Sequence, residues 1–135
     1  MTKTTQREHE LMIESRGERL ADTRAFIAQT AIACGFDEAH VFDIQVAVGE
    51  AVANAIEHGS PLGTENQVKI VCDLGEEALK IEISDQGEFK KAVPRLDAQL
   101  NYRGHGVLLM LALMDKVIID ESRYGTKVTL IKDYS

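Results

Sequence analysis

The sequence predicts an α+β domain: one sheet, mixed but mostly antiparallel, with helices packed on one of its faces. Three observations carry that prediction. Segments of period two and period 3.6 follow one another as strand, helix, helix, strand, strand, loop, helix, strand, strand. Two pairs of strands are neighbours along the chain, which favours antiparallel pairing and argues against a doubly wound nucleotide fold. The chain has 135 residues, 44% of them hydrophobic, enough for one domain with a real core.

Taken in order, Met1–Arg7 is polar and reads as a flexible N-terminus, with a single domain over residues 8–135. Glu8–Ser15, apolar in its middle, reads as a first strand. Arg16–Cys34 reads as a helix, with Leu20, Thr23, Phe26, Ile27, Thr30 and Ala31 near helical spacing and Gly35 as its C′ residue. Asp37 is placed to cap the next helix, with His40 where a capping box has Glu. That helix, centred on Asp43–Gly59 (DIQVAVGEAVANAIEHG), organises the chain. Val41, Ile44, Val48, Ala51, Val52 and Ala55 form its apolar stripe, while Glu50, Asn54, Glu57 and His58 fall on another face. Ser60-Pro61-Leu62-Gly63 forces a loop after it.

Val68–Asp73 and Ala78–Ser84 read as two strands joined across Leu74–Glu77. In the second, Leu79, Ile81 and Ile83 alternate with Lys80, Glu82 and Ser84, the pattern of a half-buried strand. Asp85-Gln86-Gly87 is a turn at its end, and Glu88–Arg103, with Pro94 inside it, is irregular. Residues 104–114 (GHGVLLMLALM) open with two glycines and continue as an apolar helix. Lys116–Glu121 and Thr126–Lys132 close the chain as a hairpin through Ser122–Gly125.

Composition excludes several functions. A net charge of −7, with no Lys/Arg cluster, argues against direct nucleic-acid binding. Cys34 and Cys72 lack CxxC spacing and sit among apolar residues, as buried thiols in a reducing compartment do. His9, His40, His58 and His105 lack zinc-site spacing. The start, MTKTTQRE, has no apolar run of the kind that opens a secretory signal. Nothing marks a membrane span, so the expected location is cytoplasmic.

Four short motifs can carry chemistry, and each has a plain structural alternative. Glu50 and Asn54 are four apart, so they are neighbours on a helix surface. A carboxylate one turn before an amide can hold a hydrated cation, or it can be an ordinary solvated pair. In Asp85-x-Gly87, the aspartate can satisfy turn amides. It can equally accept a hydrogen bond from the exocyclic amine of adenine, where guanine presents a carbonyl and is repelled. Gly87 would let backbone approach a flat base. Gly104-His105-Gly106 opens a helix, where backbone N–H groups and the helix dipole favour phosphate, or where glycines simply serve chain geometry. Gly125-Thr126 starts the last strand at a hairpin that needs a glycine in any case.

In this order, Glu50-xxx-Asn54, Asp85-x-Gly87, Gly104-x-Gly106 and Gly125-Thr126 together resemble the nucleotide site of the Bergerat-type (GHKL, histidine-kinase-like) ATPases. Within that superfamily, EAVANAIEHGS, IEISDQG, RGHGVLLMLALMDKV and GTKVTLIK resemble the anti-sigma-factor serine kinases, over roughly residues 8–132. The resemblance implies a two-layer α/β sandwich with ATP and Mg²⁺ as cofactors under a mobile lid. It implies that Asn54 holds the magnesium ion, that Glu50 is the general base toward a serine hydroxyl or orients a metal-bound water, and that Asp85 reads adenine beside Gly87. It further implies that Gly104, His105 and Gly106 face phosphate and that Thr126 reaches adenine through water. Where many relatives have a second glycine, this chain has Phe89, and its implied lid, Glu88–Arg103, is short.

Two functions follow as expectations. The first is a regulator that binds a sigma factor and phosphorylates a serine of an anti-anti-sigma (STAS-type) partner, possible as a homodimer like its relatives. The second is an ATP-holding partner switch without phosphotransfer. A detached histidine-kinase catalytic domain fits less well, since no preceding helix pair with a phospho-acceptor histidine is present. A purely structural interaction domain would leave four motif matches to coincidence.

Overall fold

Side chains alternate between two faces along each strand, and here one face is apolar across almost the whole sheet. The computed structural model describes residues 7–58, 67–85, 107–122 and 125–134. The elements in order are β1 (Glu8–Glu14), a single 3₁₀ turn (Gly17–Arg19), α1 (Leu20–Ala33), α2 (Glu38–His58), β2 (Gln67–Leu74) and β3 (Ala78–Asp85). A helical run over 107–113, called α3 here, is followed by β4 (Lys116–Ser122) and β5 (Gly125–Asp133). The strands lie in the order β1-β2-β3-β5-β4, and all four pairings are antiparallel. The expected order of elements is therefore observed. Among the described residues no helix is long and apolar enough to cross a membrane.

The core lies between this sheet and the helices. Val68, Ile70 and Cys72 of β2, Leu79, Ile81 and Ile83 of β3, and Val128 and Leu130 of β5 are buried on one face. Ile44, Ala47, Val48, Ala51 and Val52 of α2 are buried against it, and α2 contacts β2, β3 and β5. Burying one such branched side chain stabilises the fold by about 1.5–3 kcal/mol. A surface ion pair contributes about 0–1 kcal/mol. The exposed network of Glu14, Arg16, Glu18, Arg19 and Asp22 is therefore a minor term beside the α2 stripe.

Two local details differ from, or sharpen, the sequence reading. The segment from Arg16 does not enter an α-helix directly: Arg16 is extended and the 3₁₀ turn precedes α1. No side chain caps either start, so the chain tightens into i→i+3 bonds instead. Thr23 and Thr30 are buried on α1 because each hydroxyl bonds back to the preceding turn, on Arg19 O at 3.4 Å and Phe26 O at 3.0 Å.

Between α1 and α2 the chain turns through a Schellman motif. Gly35 N donates to Ile32 O at 2.9 Å and Phe36 N to Ala31 O at 3.2 Å. Asp37 then caps α2, its Oδ1 accepting from His40 N at 2.9 Å and lying 2.8 Å from the His40 ring. His40 thus folds back onto the cap carboxylate rather than onto the backbone N–H that a capping-box Glu would take. These bonds, the backbone one first, hold the Asp37 carboxyl below the usual range. Tyr134 pins the same corner: its hydroxyl donates to Gly75 O at 2.7 Å and its ring packs 5.5 Å from Phe36. Cys72 is fully buried and Cys34 half-buried, both are free, and burial pushes the Cys72 thiol up to about 12. Arg7 is tied to the sheet through Nε to Leu74 O at 3.0 Å.

Gly35 has φ of +96° and open space around its missing Cβ, so its role is conformational and not a matter of packing. Gly35→Ala should therefore lower the unfolding free energy by about 1–2 kcal/mol. Urea denaturation with an unchanged m-value is the check, and an unaltered midpoint would show that this corner does not need the left-handed backbone.

Candidate functional site

The apolar rows of the sheet run into a cleft at one end of α2. Register places Ile83, Val128 and Ile119 side by side across β3, β5 and β4. One step beyond the Ser84↔Lys127 pair come Asp85, the last residue of β3, and Thr126, the second residue of β5. Ala51, Asn54 and Ala55 of α2 form a facing wall, and Val107 and Met110 of α3 form another. These ten residues line a narrow cleft that opens to solvent.

Each polar residue reaches the cleft for a local reason. Asp85 continues the inward set Leu79, Ile81, Ile83, so alternation alone turns its carboxylate to the core face, where it is 6% exposed. Thr126 follows Gly125, whose φ of +147° suits few residues with a side chain. Asn54 lies three residues after Ala51 and is half-buried, at the margin of the α2 stripe. The small side chains of Ala51 and Ala55 leave room between helix and sheet. A larger residue at either position would fill it.

The structure thus brings together Asn54, Asp85 and Thr126, from three separate elements. Glu50 is half-buried one turn before Asn54 on α2, and it is not among the lining residues. Gly87, Phe89, the 88–103 segment, Gly104, His105 and Gly106 lie outside the described residues. Sequence reasoning missed the apolar lining: Ile83, Val107, Met110, Ile119 and Val128. Their signal was present as inward strand positions and as the first residues of the apolar helix, but it is indistinguishable from a core signal in one sequence. Among the described residues no cluster of His, Cys, Asp or Glu is placed to hold a metal by itself.

The lining has the chemistry of a site for a flat heteroaromatic ring with polar edges: an apolar slot, a buried acceptor at one side and an amide at the margin. The class so defined is a ligand-cleft domain built on an antiparallel sheet. Residues 13–132 match the family model of the histidine kinase-like ATPase domain, and the chain belongs to that family. It is similar to the anti-sigma F factor of Clostridium botulinum (strain Eklund 17B / Type B), with 29% identity over 136 residues, covering 93% of this chain and 92% of that protein. It is also similar to the serine-protein kinase RsbW of Oceanobacillus iheyensis, with 27% identity over 134 residues, covering 91% and 84%. Its fold matches the crystal structure of the RsbU and RsbW domains of Rv1364c from Mycobacterium tuberculosis, with a TM-score of 0.70 at 19% identity. That match covers 93% of this chain and 32% of the longer one.

Met110 is 1% exposed and serves both the core and the cleft wall. Met110→Ala should cost about 2–5 kcal/mol, by lost burial and an unfilled cavity. Thermal and urea unfolding measure it. A cost well under 1 kcal/mol would mean that α3 does not seat this side chain in the core.

Proposed function

We propose that the chain is an ATP-dependent anti-sigma regulator. In this reading it binds Mg·ATP in the cleft, holds a sigma factor, and phosphorylates a serine of an anti-anti-sigma (STAS-type) partner. One observation carries the reading: Asn54, Asp85 and Thr126, distant in sequence, line a single cleft whose remaining surface is apolar. Membership of the ATPase family and the names of the relatives support it.

The residues fit the cofactor. The Asp85 carboxylate accepts hydrogen bonds only, which suits the exocyclic amine of adenine and rejects the guanine carbonyl. Ile83, Ile119, Val128 and Met110 offer apolar surface to the two faces of a base. Thr126, which lines the same cleft, would reach the base through water. The Asn54 amide oxygen is a hard ligand for Mg²⁺. When bound, Mg·ATP supplies the transferable phosphoryl group. Glu50 would then act as the base: its carboxylate would take the proton of an incoming serine hydroxyl as that oxygen bonds to the γ-phosphorus and ADP leaves, or would orient a water beside the metal. Gly104, His105 and Gly106 complete the reading as phosphate contacts.

One observation favours the second reading, an ATP-holding partner switch without phosphotransfer. Glu50 is not among the cleft-lining residues, so a partner serine would have to approach it from outside the nucleotide slot.

Two sets of variants test these roles. Asp85→Asn should weaken ATP binding about ten- to a hundredfold, by loss of a charge-assisted hydrogen bond. Calorimetry with ATP and GTP measures this, and equal affinity of the native protein for the two would overturn the base-reading role. Glu50→Ala should lower serine phosphorylation of a genuine partner about a hundred- to ten-thousandfold while ATP affinity holds. Asn54→Ala should instead lower Mg-dependent ATP affinity, because a metal ligand is lost. Phosphoserine mass spectrometry and calorimetry separate the outcomes. Native protein that binds ATP but never modifies its partner would leave only the switch.

A further inference from the structure

Two helices wall the cleft beside the sheet, α2 and α3, and three bonds tie the far end of α3 to β5. Lys132 Nζ donates to Leu113 O at 2.6 Å. Asp115 N donates to Ile131 O at 2.9 Å. Asp133 N donates to Asp115 Oδ2 at 2.7 Å. The last carbonyls of a helix have no partner within it, and a cation there also opposes the negative end of the helix dipole. Lys132 meets both needs at the final residue of the 107–113 run. Only two residues, Met114 and Asp115, separate that helix from β4, and both are bonded: Met114 N donates to Met110 O at 2.9 Å.

None of the bonded end, Leu113, Asp115, Ile131, Lys132 or Asp133, lines the cleft. Yet the two elements it joins supply four of the lining residues: Val107 and Met110 from α3, Thr126 and Val128 from β5. Val107 lies six residues from Leu113, about 9 Å along a helix. Packing holds α3 on its inner side, where Met110 is 1% exposed, while on its outer side Leu108 and Leu111 are 67% and 52% exposed. A short helix with an exposed apolar side keeps its tilt through its ends.

We infer that Lys132 and Asp115 are positioning residues for the nucleotide site: their clamp sets the distance between the α3 wall and the β5 floor before ligand arrives. The inference rests on the nucleotide reading of the cleft. Removing the clamp leaves a wall that must be ordered on binding, so affinity falls although no ligand contact is lost.

The test uses the full chain with Lys132→Met, Asp115→Ala and Lys132→Arg, at a temperature where circular dichroism shows each fully folded. Amide exchange without nucleotide reads the helix, and calorimetry with Mg·ATP reads the site. Expected are faster exchange over residues 107–113 and a roughly three- to tenfold weaker Mg·ATP affinity for Lys132→Met and Asp115→Ala. Lys132→Arg, which can donate to the same carbonyl, should restore both. A purely structural lysine would lower the unfolding temperature and leave the affinity of the folded protein unchanged. That result, or unchanged exchange in α3, overturns the positioning role. If Lys132→Met does not fold, Asp115→Ala decides alone. Native protein that binds no Mg·ATP overturns the nucleotide reading and this inference with it. It is told apart from failure of the clamp because there the native protein binds and only the variants' difference is missing.

Discussion

Everything in this domain depends on how α2 lies on the sheet. One helix face must supply core and the adjoining face must supply a site, and both are set by a single rotation about the helix axis. Ile44, Val48 and Val52, all at 0% exposure, fix that rotation because each has no other place to go. Together they outweigh any polar preference on the helix, since each is worth about 1.5–3 kcal/mol of burial. With the rotation fixed, Ala51 and Ala55 face the ends of β3 and β5 across the cleft, and Asn54 stands at its margin. The cleft lies beside the small Ala51 and Ala55, where the same helix face elsewhere carries the branched Ile44, Val48 and Val52.

The sheet sets the other half of the site by the same economy. Period two along β3 and β5 carries apolar residues inward until the strands end, and there the inward positions become Asp85 and Thr126. No special loop is needed to bring them together. Antiparallel register does it, because Ser84↔Lys127 leaves those two as the next neighbours. A polar pair at the end of an otherwise dry row is well suited to recognition: the apolar row excludes water from one side, which makes each hydrogen bond to a ligand count for more.

How much of this was legible in the sequence varied with the range of the interaction. Elements governed by local periodicity, such as α2 and β3, were readable because their patterns repeat over many residues. The turn at Gly35 and the cap at Asp37 were readable because their chemistry is local. The 3₁₀ entry to α1 was not, because it follows from a missing cap and not from a positive signal. In the site, Asn54, Asp85 and Thr126 were marked by short motifs whose order resembles the nucleotide site of these ATPases. Ile119 and Met110 could not be, since only the pairing of β4 with β5 and the seating of α3 show that these side chains border a cleft. The bond from Lys132 to Leu113 was likewise hidden: nineteen residues separate them, and a lysine near the end of a strand has no local pattern to betray a partner.

The charge of the cleft constrains how it can hold a polyanion. Among the described lining residues Asp85 is the one charged side chain, and no Lys or Arg lines the space. The whole chain carries −7. A triphosphate would therefore meet repulsion rather than steering as it approached, at a range of about 8–10 Å in physiological salt. On the nucleotide reading, none of the described lining residues gives the phosphates a side-chain cation. The described lining therefore suits the base, and Asn54 is its candidate ligand for the metal that would accompany the phosphates. On that reading the two halves of the ligand answer to different parts of the fold, the base to Asp85 and Thr126 at the strand ends and the metal with its phosphates to Asn54 on α2.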